Sequence, residues 1–281
     1  MPLNNLPADA VRRIVGDALA EDVGSGDVTS DAVIPAGLRF TGVMAAREPM
    51  VIAGLPVAAE VFRAVVPEAS FSPQVVDGDA VFPGTVIARL EGPAQGLLTA
   101  ERTALNLLQH LSGIATLTRT YVNRIAGTGA TLLDTRKTIP GLRLLAKYAT
   151  RVGGARNHRL GLYDGVLIKD NHIAVCGSVA AAVARAKARG LPNIEVECDT
   201  LEQVEEAVAA GADIILLDNM GPNRLRRAVA LVAGRARTEA SGGVTLDTIR
   251  DIAETGVDFI SVGRITQSAP SVDIGLDWST T

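Results

Sequence analysis

Cysteine is scarce in this chain: Cys176 and Cys198 are the only two in 281 residues. They have no CxxC spacing and cannot form a disulfide framework, so both are expected to be small buried hydrophobes. Aromatic residues make up 3% of the chain, too few for the stacking platforms that bind single-stranded nucleic acid. No apolar run approaches the ~18 residues of a membrane span. The first stretch, MPLNNLPADAVRR, lacks the apolar centre of a secretory signal. A cytoplasmic protein with neither a membrane nor a nucleic-acid partner is expected. Charge of one sign does not dominate either, since 27 Lys and Arg stand against 31 Asp and Glu for a formal net charge of −4. Apolar residues, by contrast, are plentiful at 47%. In a chain of this length they can fill two modest domains, or one barrel with an appended domain.

Apolar positions at helical spacing (Val11, Ile14, Val15, Ala18, Leu19) predict a helix from about residue 6 to 22, which Gly24-Ser25-Gly26-Asp27 interrupts. Strands are predicted at 40–46, 72–76, 80–82 and 86–90, with a helix at 55–65. Asp77-Gly78 and Pro83-Gly84 are expected to make hairpin turns between these strands. The stretch VDGDAVFPGTVIARLEG is similar to the hairpin of biotinyl and lipoyl domains but lacks the modifiable lysine, so it is read as scaffold. Thr99 is expected to cap a long helix running to about residue 125, with Glu101 in its first turn. His110 on that helix is read as structural.

From Ala130 onward strand and helix patterns alternate. Strands are predicted at 131–133, 166–168, 194–196, 213–217, 238–240 and 259–262, and helices at 142–151, 179–189, 201–210, 222–232 and 246–254. Short Ile-, Leu- and Val-rich runs between amphipathic helices predict parallel strands covered by helices. Polar residues recur where these strands end: Asp134-Thr135-Arg136, Lys169, Glu197, Asp218, Ser241 and Gly263-Arg264. In a (β/α) barrel such ends converge on one mouth, where active sites lie. Six or seven strands fit better than eight, so an incomplete barrel is expected.

Between Arg136 and Lys169 there are eight Lys or Arg and one acid, Asp164. Such a local concentration in an acidic chain suggests a pocket for a small polyanion. Arg136 and Lys137 offer a bidentate and a point-charge grip on carboxylate or phosphate. Lys169 could be an anion ligand, a Schiff-base nucleophile, or the partner of a structural salt bridge to Asp170. Glu197 and Asp218 are expected to face each other across the mouth. They could hold Mg2+, bind sugar hydroxyls or stabilise a developing oxocarbenium ion. Ser241-Gly242-Gly243 and Gly263-Arg264 suit a late-strand phosphate cup. A Schiff-base lyase and a non-enzymatic RNA-binding module are the readings from other classes.

At these positions the chain resembles the quinolinate phosphoribosyltransferases. The resemblance rests on Asp134-Thr135-Arg136-Lys137-Thr138, Pro140-Gly141, Lys147-Tyr148, Gly153-Gly154, Asn157-His158-Arg159 and Leu167-Ile168-Lys169-Asp170-Asn171-His172. It continues through Glu195-Val196-Glu197, Leu216-Leu217-Asp218-Asn219-Met220, Glu239-Ala240-Ser241-Gly242-Gly243 and Ser261-Val262-Gly263, with Asp27-Val28-Thr29 and Ala100-Glu101-Arg102 earlier in the chain. Ile139, Val152 and Ala155 depart from the family's frequent Thr, Cys and Gly, and none of these removes a charged ligand.

The resemblance implies phosphoribosyl transfer from phosphoribosyl pyrophosphate to quinolinate with decarboxylation. The products would be nicotinate mononucleotide, pyrophosphate and CO2, formed with Mg2+ in de novo NAD biosynthesis. It also implies an N-terminal α/β sandwich domain (1–112) joined by the C-terminal tail (267–281), an incomplete (β/α) barrel (113–266), and a homodimer sharing its sites. Quinolinate would meet Thr135, Arg136, Lys137, His158, Arg159 and Lys169, with Arg102 arriving from the neighbouring subunit. Phosphoribosyl pyrophosphate would meet Lys137, Lys169, Glu197, Asp218, Ser241, Gly242, Gly243, Val262, Gly263 and Arg264. Glu197 and Asp218 would hold Mg2+ and, with Lys137, carry the catalysis.

Overall fold

The computed structural model describes residues 6–279. Residues 1–5 and 280–281, which the expected ranges 1–112 and 267–281 and the N-terminal stretch include, lie outside the described residues. In chain order the elements are α1 (Ala8–Asp22), α2 (Val28–Val33), β1 (Arg39–Ala46), β2 (Met50–Val51), α3 (Leu55–Val65), β3 (Ser70–Pro73), β4 (Ala80–Val81), β5 (Val86–Pro93) and α4 (Ala94–Arg124). After these come β6 (Thr131–Leu133), α5 (Arg143–Gly153), β7 (Val166–Ile168), α6 (Asp170–Cys176), α7 (Val179–Ala188), β8 (Ile194–Cys198) and α8 (Leu201–Ala209). The last are β9 (Ile214–Asp218), α9 (Pro222–Val232), β10 (Arg237–Ser241), α10 (Ile249–Ala253), β11 (Phe259–Ser261), α11 (Arg264–Gln267) and β12 (Ile274–Ser279).

Two compact units form. The first takes the described residues up to Arg119, together with Thr138–Gly154 and those from Thr266 onward, and the second takes Thr120–Lys137 and Ala155–Ile265. This division differs in detail from a boundary at 112. The apolar face of α5 explains the difference: Leu145, Ala146 and Ala149 are buried in the same cluster as Leu108, Leu111 and Ala115 of α4. Gly153 permits the close approach, since a Cβ there would lie 2.6 Å from the Thr118 side chain.

The first unit is built on an antiparallel sheet of order β12-β1-β5-β3, with a separate β2-β4 ladder. Its core joins Val11, Ile14 and Val15 of α1 to Val57, Val61 and Phe62 of α3. Each such side chain contributes roughly 1.5–3 kcal/mol by leaving water. The expected hairpins do not form, because β3 pairs with β5 while β4 pairs with β2. Asp77 serves another purpose: its carboxylate accepts the N–H groups of Gly54 and Leu55 at the start of α3 and the Tyr148 hydroxyl of α5. Nor does Thr99 cap α4, which begins earlier, at Ala94. Gly96 allows that earlier turn to lie against Val66, where a Cβ would meet the valine side chain at 2.8 Å. Thr99 and Glu101 are thus inside the helix, the former bonded to Gln95 O and to Asp27, the N-cap of α2.

The second unit is a parallel sheet of order β6-β11-β10-β9-β8-β7. Helices α7, α8, α9 and α10 follow or precede successive strands, as βαβ units require. Among the described residues no ladder joins β6 to β7, so the barrel is incomplete. The helix ends follow local rules. Ser178 caps α7, Thr200 and Gln203 form a capping box on α8, and Pro222 opens α9. Cys198 is buried as expected, whereas Cys176 on α6 is only half-buried. No helix among the described residues is long and apolar enough to cross a membrane.

Candidate active site

Side chains alternate along a strand, so residues two apart share a face. In the second unit, register sets Glu197, Leu216, Glu239, Phe259 and Thr131 in one row. The same faces carry Glu195 two residues before Glu197, Asp218 two after Leu216, and Ser241 two after Glu239. Chemistry is thereby gathered along one side of the sheet, with its most polar members at the strand C-termini.

Lys169 follows β7 and its ammonium contacts the Glu197 carboxylate of β8. The alternative partner, Asp170, instead opens α6. Glu197 and Asp218 sit side by side on neighbouring strands rather than across a mouth from each other. Asp218 accepts the side-chain amide of Asn219 at 2.6 Å. Asn219 has φ +52°, and its N–H donates to Ser241 O at 2.9 Å. Gly242 completes this junction with φ +89°; a Cβ on it would lie 2.2 Å from Asn219 Oδ1. The Ser241-Gly242-Gly243 turn is therefore held tightly against the end of β9. The Val262 N–H, one of the expected phosphate donors, is used in the sheet, donating to Leu133 O at 3.1 Å. Arg264 is exposed at the start of α11.

Beyond β6, Asp134 is fully buried and organises the next segment. It accepts Asn157 Nδ2 at 2.6 Å and the His158 N–H at 2.8 Å. The Thr135 hydroxyl accepts the Lys137 N–H at 3.0 Å. Burial, and then the nearby Arg136 guanidinium, lower the pKa of Arg159. Arg136 Nε is buried without a hydrogen-bond partner. Two guanidiniums held close enough to repel each other suit an anion bound between them. His158 turns towards Glu195 and Glu239, two interior carboxylates absent from the expected site. Burial, followed by the Glu195 charge, raises the pKa of Glu239 far above the ordinary carboxylate range. Both acids were findable from the period of two, since each precedes an expected site residue, Glu197 or Ser241, by two positions. Arg102 belongs to the first unit, where it is exposed on α4.

The chain matches known proteins along nearly its whole length. The family model for the quinolinate phosphoribosyl transferase N-terminal domain matches residues 27–112, and that for the C-terminal domain matches 114–277. A nicotinate-nucleotide pyrophosphorylase [carboxylating] of Mycobacterium leprae is 47% identical, over 98% of this chain and 99% of its own. A probable enzyme of the same name from Bacillus subtilis is 44% identical, over 95% and 93%. The solved nicotinate-nucleotide pyrophosphorylase of Francisella tularensis superposes with a TM-score of 0.95 at 41% identity, covering 99% of each chain. From these matches, this chain belongs to the quinolinate phosphoribosyltransferase family.

Proposed function

We propose that the protein transfers the phosphoribosyl group of phosphoribosyl pyrophosphate to quinolinate and releases CO2, forming nicotinate mononucleotide and pyrophosphate for NAD biosynthesis. The observation that carries this reading is the run of Lys169, Glu197, Asp218 and Ser241-Gly242-Gly243 along neighbouring strand ends of one sheet. These residues supply a cation, two carboxylates and a turn for phosphate within the second unit.

Quinolinate carries two adjacent carboxylates, which Arg136, Arg159 and Lys169 would bind, with Thr135 and His158 in support and Arg102 from a partner subunit. Lys137 serves the pyrophosphate. The quinolinate ring nitrogen attacks ribose C1 as the bond from C1 to the pyrophosphate oxygen breaks. Glu197 and Asp218 stabilise the positive charge that develops at C1. The 5′-phosphate rests on Ser241, Gly242 and Gly243, with Gly263 and Arg264 beyond. The bond from C2 to its carboxylate then breaks. Its electron pair remains at C2, stabilised by the adjacent quaternised nitrogen, until a proton replaces CO2. No separate base is required.

Glu197 and Asp218 are oxygen donors of the type Mg2+ takes, one or two carboxylates alongside substrate phosphates, and the ion would neutralise charge on the departing pyrophosphate. The reading includes a homodimer and a cytoplasmic location; both cysteines are free, which suits a reducing compartment. The decisive experiment incubates the protein with quinolinate, phosphoribosyl pyrophosphate and Mg2+. Stoichiometric CO2 and nicotinate mononucleotide are expected, and the absence of both rules the assignment out.

A further inference from the structure

His158 is held at both ring nitrogens. Nδ1 accepts the backbone N–H of Arg159 at 2.8 Å. A neutral imidazole that accepts at one nitrogen carries its single proton on the other, so the proton is on Nε2. That atom lies 3.0 Å from a Glu195 carboxylate oxygen and 3.7 Å from one of Glu239. All three side chains are largely withdrawn from solvent, at 14%, 5% and 1% exposure. The main chain of His158 is fixed as well, through its N–H to Asp134.

Two other roles conflict with this arrangement. His158, Glu195 and Glu239 are close enough together to surround a metal ion. A ligating nitrogen needs a free lone pair, however, and here Nε2 carries the proton that Nδ1 cannot. An anion clamp would need either a neutral Nε2–H free for the anion, whereas here Nε2 faces the Glu195 and Glu239 carboxylates, or an imidazolium, which donates from both nitrogens. Its Nδ1–H would then point at the N–H of Arg159. Glu195 and Glu239 face the ring at Nε2, and Asp134 and Arg159 flank it through the backbone.

We propose that His158 is a positioning residue that stays neutral, tying the backbone of Arg159 to the interior carboxylates Glu195 and Glu239 so that the Arg159 guanidinium is presented to a quinolinate carboxylate. This rests on the reading of the enzyme given above. Arg159 is fixed at two points: its N–H on the imidazole, and its guanidinium Nη1 on Gly165 O at 3.2 Å. His158 acts through the first of them.

The test combines NMR and kinetics on the full chain. In 15N-labelled protein near neutral pH, the His158 ring should show an unprotonated Nδ1 and a protonated Nε2, and saturating quinolinate should change neither. His158→Leu should raise the quinolinate KM by ~10-fold or more, leaving the KM for phosphoribosyl pyrophosphate nearly constant. His158→Asn keeps an acceptor near Nδ1 and His158→Gln a donor near Nε2, and neither can be charged. His158→Asn should restore quinolinate affinity to within ~3-fold of wild type, whereas His158→Gln, which leaves the Arg159 N–H without its acceptor, should stay close to His158→Leu. An imidazolium in the quinolinate complex, an Asn variant as impaired as Leu, or a Gln variant as active as Asn would overturn the proposal. So would a bound metal whose removal by chelation restores the Nε2 proton. The underlying reading fails separately, if the wild-type protein releases no CO2 from quinolinate, and the NMR result does not depend on that outcome.

Discussion

The ammonium of Lys169 contacts the carboxylate of Glu197 across the ends of β7 and β8. The lysine side chain is 44% exposed and the glutamate 14%, so the pair stands at the edge of the sheet interior, where an arriving substrate can compete for it. An anion drawn to Lys169 leaves Glu197 to the charge that develops at ribose C1. Glu197→Gln and Asp218→Asn are each expected to lower kcat by ~10²-fold or more, with a smaller effect on the quinolinate KM. Initial-rate kinetics measures both. Unchanged kcat in both variants would make these carboxylates structural only.

The turn after β10 offers a test of backbone geometry. Gly242→Ala combines a left-handed φ with a Cβ 2.2 Å from Asn219 Oδ1 and 3.0 Å from Asn219 N. A cost of about 1–3 kcal/mol in folding stability is expected, together with a higher KM for phosphoribosyl pyrophosphate. Gly243 also has a left-handed φ but open space around it, so Gly243→Ala should be milder. Denaturant titration of the two variants compares them directly; equal losses would argue against the Asn219 contact.

The cysteines differ in a way that titration can show. Burial, with the nearby charges of Asp199 and Glu197 adding to it, pushes the Cys198 thiol up to about 12. At pH 8 almost none of it is thiolate, the reactive form. A thiol-reactive disulfide should therefore modify one cysteine, Cys176, in the folded protein and both in denaturant. Rapid labelling of Cys198 in the native state would contradict its placement in β8.

Much of this arrangement was legible in the sequence because strand, helix and site signals coincide. The span of α3 follows from its apolar spacing and that of α9 from Pro222 and the same period, and Lys169, Glu197 and Asp218 stand where short apolar runs stop. Strand pairing was less legible. Asp77-Gly78 has the composition of a hairpin turn, yet β3 and β4 enter different sheets, because the Asp77 carboxylate is engaged at the start of α3 and by Tyr148. The start of α4 was hidden by Gly96, whose low helix propensity is overridden by close packing on Val66. Glu195 and Glu239 were passed over because an acid inside an apolar strand is an exception that only a buried partner explains. That partner is His158, contributed by a segment distant in sequence.

Substrate choice should follow from the paired cations. Nicotinate lacks the 2-carboxylate of quinolinate and would leave part of the Arg136–Arg159 cluster without its counter-charge. Leaving a half-buried cation without its charged hydrogen-bond partner costs about 1.5–3 kcal/mol, so kcat/KM for nicotinate should be lower by at least ~10-fold. Competition between the two acids for limiting phosphoribosyl pyrophosphate measures the ratio. Comparable turnover would show that the cluster does not read the second carboxylate.

Arg102 is expected to act in the partner's site. It is exposed on α4 in the first unit, whereas Lys169 belongs to the second. In a two-fold dimer each subunit can lend the same arginine to the other. Arg102→Ala and Lys169→Ala should each be nearly inactive as homodimers. When the two are co-expressed, mixed dimers form in which one site carries both lesions and the other carries neither. With random pairing about half the dimers are mixed, each with one intact site of two, so roughly a quarter of wild-type activity should return. If Arg102 served its own subunit, every site in the mixture would carry one lesion and activity would stay at the level of the separate variants. A measured recovery near a quarter, scaling with the fraction of mixed dimer seen by native mass spectrometry, therefore distinguishes sharing from self-service. Absence of recovery despite abundant mixed dimer would show that Arg102 acts within its own chain.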